Sequence, residues 1–164
     1  MSSGVELVND YNRDGFVVSR EFLTQLEIQE LFASFENVLS RIGAGEANVA
    51  SQSGAVEKYV ALKQASPAKA SAVYDTMMTS LALQRVFLAD KTVALVSRLL
   101  GVAPAQLAHF FRCMRLDPPG TNPNELGWHQ DFQDSEQPTL DQSSGLTIWI
   151  PLTTVGRDLG SIEA

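Results

Sequence analysis

Apolar residues recur every three or four positions between residues 28 and 42, which predicts an amphipathic helix with one buried face. Thr24 and Glu27 have the spacing of a capping box at the start of this helix, and Gly43 is a natural stop. The helix is therefore predicted from both ends as well as from its middle. Its apolar stripe consists of Ile28, Leu31, Phe32, Phe35, Val38, Leu39 and Ile42.

Two further helices are predicted downstream. One begins at Pro67, because proline is favoured at the first helical position, and runs to about Thr79. The other runs from Asp90 to Leu100, where a glycine follows. Residues 43–55 are mainly Gly, Ala, Ser, Asn and Gln, so we expect a mobile loop there.

The pattern changes near residue 105, where β-branched and aromatic residues begin to alternate with polar ones. Helices first and strands later predict an α+β fold. We expect a single domain over 1–164, with 1–104 mainly helical and 105–164 forming the first strands of a sheet. Strands are predicted at 15–19, 106–116, around His129, at 145–152 and at 161–164, with a turn-rich loop at 117–124.

The amino-acid composition limits the kinds of partner that we expect for this protein. The 164 residues are 45% hydrophobic and 19% charged, with a net charge of −7. An acidic chain argues against a nucleic-acid partner and offers no polybasic membrane anchor. No apolar run approaches the ~20 residues that span a bilayer, and no signal-peptide pattern is present, so we expect no membrane partner and a cytoplasmic location. The sequence does not determine the oligomeric state.

The triplet His129-Gln130-Asp131 is the main chemical candidate. In an extended segment, residues i and i+2 lie on the same face, so an imidazole and a carboxylate can converge on one point. These are two of the three ligands in the 2-His-1-carboxylate set that binds non-heme Fe(II). The alternative is a surface histidine beside an aspartate in a loop.

Several motifs around this triplet occur in a recognisable order. They are RLDPPG at 115–120, GWHQD at 127–131, LTIWIPL at 146–152 and LGSIE at 159–163. Together they resemble the phytanoyl-CoA dioxygenase family. The DGFVV segment at 14–18, followed by a capped helix, is also similar to the opening of that family.

The resemblance implies a double-stranded β-helix (jelly-roll) core, incomplete in this chain, with helices packed outside it. It implies Fe(II) held by His129 and Asp131, and 2-oxoglutarate near Gln130, Trp149 and Cys113. Ascorbate is a further candidate cofactor. The implied reaction is a dioxygenase hydroxylation of a small organic or acyl substrate by O₂. From the residues alone, Trp149 can equally be a core side chain.

The family also has a second histidine ligand and a 2-oxoglutarate-binding arginine beyond the LGSIE-like turn, where this sequence ends. We therefore expect an N-terminal portion of a dioxygenase, with weak iron binding. His109 is expected to be a packed strand histidine and Arg157 a solvated turn residue. The alternative is a non-catalytic or degenerate jelly-roll binding module that pairs with another subunit.

Residues 10–21 match a different motif, the EF-hand calcium loop. Oxygen-bearing side chains occupy its first, third and fifth positions, a glycine the sixth and Glu21 the twelfth. A poor entering helix and the lack of a second loop argue against it. Calcium binding at 10–21 is therefore a second alternative, and the competing interpretation makes Phe16 and Val18 core residues of a strand.

Overall fold

The computed structural model describes residues 4–109, 114–115 and 145–156. Within these ranges the regular structure is helical. The described residues fall into two compact units, one containing α2 to α6 and the other containing α1, most of α7 and residues 145–156. The helices are α1 (Gly4–Asp14), α2 (Gln25–Ile42), α3 (Ala47–Ala50), α4 (Ala55–Ala65), α5 (Pro67–Met78), α6 (Leu81–Leu88) and α7 (Asp90–Leu100), followed by a 3₁₀ turn (Pro104–Gln106).

Helix α2 confirms the strongest sequence prediction. The Thr24 hydroxyl accepts a hydrogen bond from the Glu27 amide at 3.2 Å, and the Glu27 carboxylate accepts one from the Thr24 amide at 2.7 Å. These two bonds satisfy donors that a helix N-terminus otherwise leaves open. The Gly43 amide donates to the Leu39 carbonyl at 2.8 Å and ends the helix.

The core of the α2–α6 unit forms where α2, α4 and α5 pack together. The rings of Phe35 and Tyr59 lie 6.0 Å apart, and Met114 packs against the same cluster. Removing these side chains from water supplies the main driving force for the unit. The buried cluster consists of Phe35, Leu39, Val49, Ala55, Tyr59, Leu62, Ala70, Val73 and Met77.

The prediction of a mobile loop at 43–55 is wrong. This segment contains α3, and α4 begins at Ala55. Val49 and Ala55 are both buried in the core, so tertiary packing stabilises helical structure that the small polar residues around them do not favour by themselves. Helices α1, α4 and α6 were likewise not predicted, whereas α5 and α7 confirm the predictions from Pro67 and Asp90.

The unit that contains α1 and most of α7 has two well-defined helix ends. Gly15, with φ of +79°, follows α1, and its amide donates to the Tyr11 carbonyl at 2.9 Å. Gly101, with φ of +66°, follows α7, and the next amide, that of Val102, donates to the Ser97 carbonyl at 3.0 Å. The second arrangement is a Schellman motif, which confirms the predicted stop after α7.

The predicted α+β fold with a jelly-roll core is wrong for the part of the chain that the structure describes. The described segments at 15–19 and 145–152 belong to no strand, and the first residue of the predicted 106–116 strand lies in a 3₁₀ turn. A strand requires a hydrogen-bonded neighbour, and no strand pairing occurs among the described residues. The predictions at 117–124, around His129, at Arg157 and at 161–164 lie outside those residues.

Segment 145–152 nevertheless keeps the two-residue period that suggested a strand. Ile148, Ile150 and Leu152 are partly buried, and the residues between them are exposed. The alternation was therefore identified correctly, but alternation alone does not supply a partner strand. The predicted division at residue 104 stays a prediction. None of the described helices has the length and apolar character needed to span a bilayer.

Candidate functional site

The residues predicted to hold iron are not among those that the structure describes. His129, Gln130, Asp131 and Cys113 all lie outside the described ranges, so their roles stay predictions. Trp149 and His109 are described. Among the described residues, no group of three or more His, Cys, Asp or Glu side chains is placed to hold a metal ion.

Trp149 lies on the exposed side of the 145–152 segment. Its side chain is 44% exposed, whereas the neighbouring Ile148 and Ile150 are partly buried. The interpretation of Trp149 as a core residue is therefore wrong. An indole at this level of exposure can present a flat apolar face and one N–H donor to a small molecule.

His109 packs against an aromatic ring. Its imidazole centroid lies 5.2 Å from the Phe87 ring centroid, with 39° between the ring planes. This spacing lies within the range of favourable aromatic pairs. The contact agrees with the expectation of a packed histidine, although no strand is present at this position.

The calcium interpretation of residues 10–21 is wrong. Helix α1 extends through Asp14, so the first half of the predicted loop is helical and cannot wrap around an ion. Arg13 instead pairs with Asp10 at 3.0 Å and with Asp14 at 2.6 Å. The hydrogen bond from Arg13 lowers the pKa of Asp14. Both apolar residues of the competing strand interpretation, Phe16 and Val18, are exposed rather than core.

Glu27 has the most strongly shifted carboxyl pKa among the described residues whose shift is resolved. A hydrogen bond from Lys91 at 2.6 Å, with further bonds from the Thr24 amide and hydroxyl, lowers this pKa to about 2. A shifted pKa can mark a reactive group. The groups that shift the pKa of Glu27 form a helix cap and an ion pair, so they account for the shift without a catalytic role. The sequence identified the cap and missed Lys91, which is 64 positions away.

Comparison with known proteins identifies the family. The family model described as phytanoyl-CoA dioxygenase (PhyH) matches residues 11–164, nearly the whole chain. The match includes His129, Asp131 and Trp149. Members of this family are in general Fe(II)- and 2-oxoglutarate-dependent oxygenases. No curated protein and no solved structure matches the chain. Since the family model covers far more than half of the sequence, the chain belongs to the phytanoyl-CoA dioxygenase family.

Proposed function

We propose that this chain supplies His129 and Asp131 as iron ligands in an oxygenase that hydroxylates a small organic or acyl substrate. The observation that carries the proposal is the family match, which extends across both residues. Their donor atoms, an imidazole nitrogen and a carboxylate oxygen, are the types that non-heme Fe(II) oxygenases use. The spacing of two residues allows both side chains to lie on one face of an extended segment.

The bound iron, together with 2-oxoglutarate and O₂, would supply the oxidising power to hydroxylate a C–H bond. His129 would present an unprotonated ring nitrogen and Asp131 an ionised oxygen, because metal ligands bind in their deprotonated forms. Gln130, Trp149 and Cys113 would contact 2-oxoglutarate. The exposure of Trp149 supports a ligand-contacting role, because the indole is not occupied by core packing.

Two protein ligands are assigned in this proposal. The sequence contains two histidines, and the other one, His109, is in contact with Phe87. A facial triad uses three protein ligands. With two ligands assigned, we expect residues 1–164 to bind iron more weakly than a complete triad would. We also expect little or no turnover by the same 164 residues.

Iron binding tests the proposal directly. We expect purified 1–164 to bind Fe(II) under anaerobic conditions, as measured by calorimetry, with at least a tenfold loss of affinity in His129→Ala and in Asp131→Asn. His109→Ala is the matched control and should bind as the parent does. Equal binding by the parent and both ligand variants would refute the assignment and favour a module that does not bind metal at this position.

Succinate formation tests the ligand count separately. With Fe(II), 2-oxoglutarate and O₂ present, we expect the 164 residues to release succinate no faster than His129→Ala does. Turnover well above that control would show that the two assigned ligands are sufficient, or that a third ligand is present in the chain.

A further inference from the structure

The outward face of α6 carries an apolar–cationic–apolar row, called here the α6 stripe. Leu81 and Leu88 are 73% and 63% exposed, and the exposed Arg85 lies between them. The three residues are related as i, i+4 and i+7, so they share one side of the helix. The buried residues of α6, Leu83 and Val86, lie on its other side.

Helix α2 carries a row of the same form with the opposite charge, called here the α2 stripe. Leu26 is 63% exposed, and Glu30 and Ala33 are also exposed. These residues again follow the i, i+4 and i+7 spacing. They lie on the side of α2 opposite Leu31 and Phe35, which are buried. The α6 stripe thus leaves two leucines in water and the α2 stripe leaves one, each on the side of its helix that does not face the core.

The two central charges lack partners within the described residues. Arg85 and Glu30 take part in none of the ion pairs found there, which involve Arg13, Lys69 and Lys91 as the cations. Helices α2 and α6 contact each other and belong to the same compact unit. Both stripes are therefore carried by one packed body, and neither charge is used in an ion pair between described residues.

The spacing along the two stripes is the same. With a rise of 1.5 Å per residue, the charge lies about 6 Å and the third residue about 10.5 Å from the first along each helix axis. We propose that two copies of this chain associate as a symmetric dimer, with the α6 stripe of each copy against the α2 stripe of the other. Arg85 then pairs with the partner's Glu30, and two-fold symmetry forms the contact twice.

The pairing of a positive stripe with a negative one is informative because the chain as a whole is acidic. A net charge of −7 makes two copies repel one another, so association requires a local pairing of opposite charges and apolar area to offset the repulsion. The stripes supply both. The dimer does not depend on the assignment of His129 and Asp131, so its test is independent of the proposed reaction.

Charge exchange tests the pairing. We expect sedimentation equilibrium of 1–164 to show a monomer–dimer equilibrium, and Arg85→Glu or Glu30→Arg to raise the dimer Kd at least tenfold. The double variant Arg85→Glu/Glu30→Arg should return the Kd to within about threefold of the parent, because the pair is re-formed with its signs exchanged. Controls with the same changes in net charge are Arg98→Glu on α7 and Glu36→Arg on α2, both at exposed positions outside the stripes.

The results of these measurements either support or overturn the proposed dimer. A parent chain that stays monomeric at about 200 μM overturns the proposal, as do larger open assemblies, which a closed two-fold dimer does not form. A dimer that both single variants leave unchanged lies on another surface. Leu81→Lys/Leu88→Lys provides an independent check and should abolish the dimer. Helical circular dichroism confirms that each variant is folded, and a folded double exchange that does not restore the dimer refutes the pairing.

Discussion

Lys91 donates a hydrogen bond to Glu27 at 2.6 Å, and the same carboxylate oxygen accepts bonds from the Thr24 amide and hydroxyl. One oxygen thus joins the cap of α2 to a residue 64 positions along the chain, within the same compact unit. Charge-assisted bonds of this kind are stronger than neutral ones. The arrangement predicts a specific pH dependence of stability.

The folded-state pKa of Glu27, about 2, is below its ordinary value of 4.5. Its ionised form therefore stabilises the fold fully above about pH 4.5, and this contribution is lost as the pH falls toward 2. We expect Glu27→Gln to be less stable than the parent at pH 6, with the difference narrowing by pH 2.5. Urea unfolding at both pH values measures it, and a difference that does not change with pH contradicts the prediction.

Removal of the cation should have a related effect. Lys91→Met takes away the partner that lowers the Glu27 pKa most, so we expect that pKa to rise toward its ordinary value. The carboxyl titration can be followed by NMR. Lys58→Met is the control, because Lys58 forms no ion pair with any described residue. Equal Glu27 pKa values in the two variants would show that Lys91 does not hold the carboxylate in solution.

Gly43 is predicted to be intolerant of a side chain. A Cβ atom at this position would lie 2.8 Å from the Leu39 carbonyl oxygen, and backbone cannot move aside cheaply. We expect Gly43→Ala to lower the free energy of unfolding by about 1–3 kcal/mol, as overpacking does. Gly156→Ala is the control, since nothing lies within 4 Å of its Cβ position. Equal urea midpoints for the two variants would exclude the predicted steric conflict.

The core of the α2–α6 unit can be tested with a matched pair of valines. Val73 is fully buried in α5, and Val5 is an exposed residue of α1. We expect Val73→Ala to cost about 2 kcal/mol, from lost transfer energy and the cavity left behind. Val5→Ala should change the unfolding free energy by less than about 0.5 kcal/mol. A comparable loss in both would mean that Val73 is not buried in solution.

Trp149 gives a prediction about the cosubstrate. If the exposed indole contacts 2-oxoglutarate, Trp149→Ala should weaken its binding about 2- to 10-fold, the range expected for loss of an aromatic contact. Calorimetry with Fe(II) present and O₂ excluded measures the affinity. Thr147→Ala is the control, because Thr147 is exposed two residues away on the same segment. Unchanged affinity in Trp149→Ala would remove this residue from the proposed site.

Interactions between residues close in sequence account for the features of the fold that could be predicted. The cap at Thr24, the start at Pro67 and the stop at Gly101 each depend on hydrogen bonds or sterics within about five residues, so the sequence pattern was sufficient. The family was also accessible from sequence, because its motifs are recognised by their order along the chain. The same motifs led to the jelly-roll prediction, which the described helical structure contradicts.

What the sequence determined by itself is therefore the family, the ends of α2, α5 and α7, and the candidate ligands His129 and Asp131. Tertiary structure decided that residues 47–50 and 55–65 are helical, that Trp149 is exposed, and that Lys91 meets Glu27. The physical reason is the range of the interactions. Caps and turns form between neighbours in sequence, whereas burial and ion pairing depend on residues that only folding brings together.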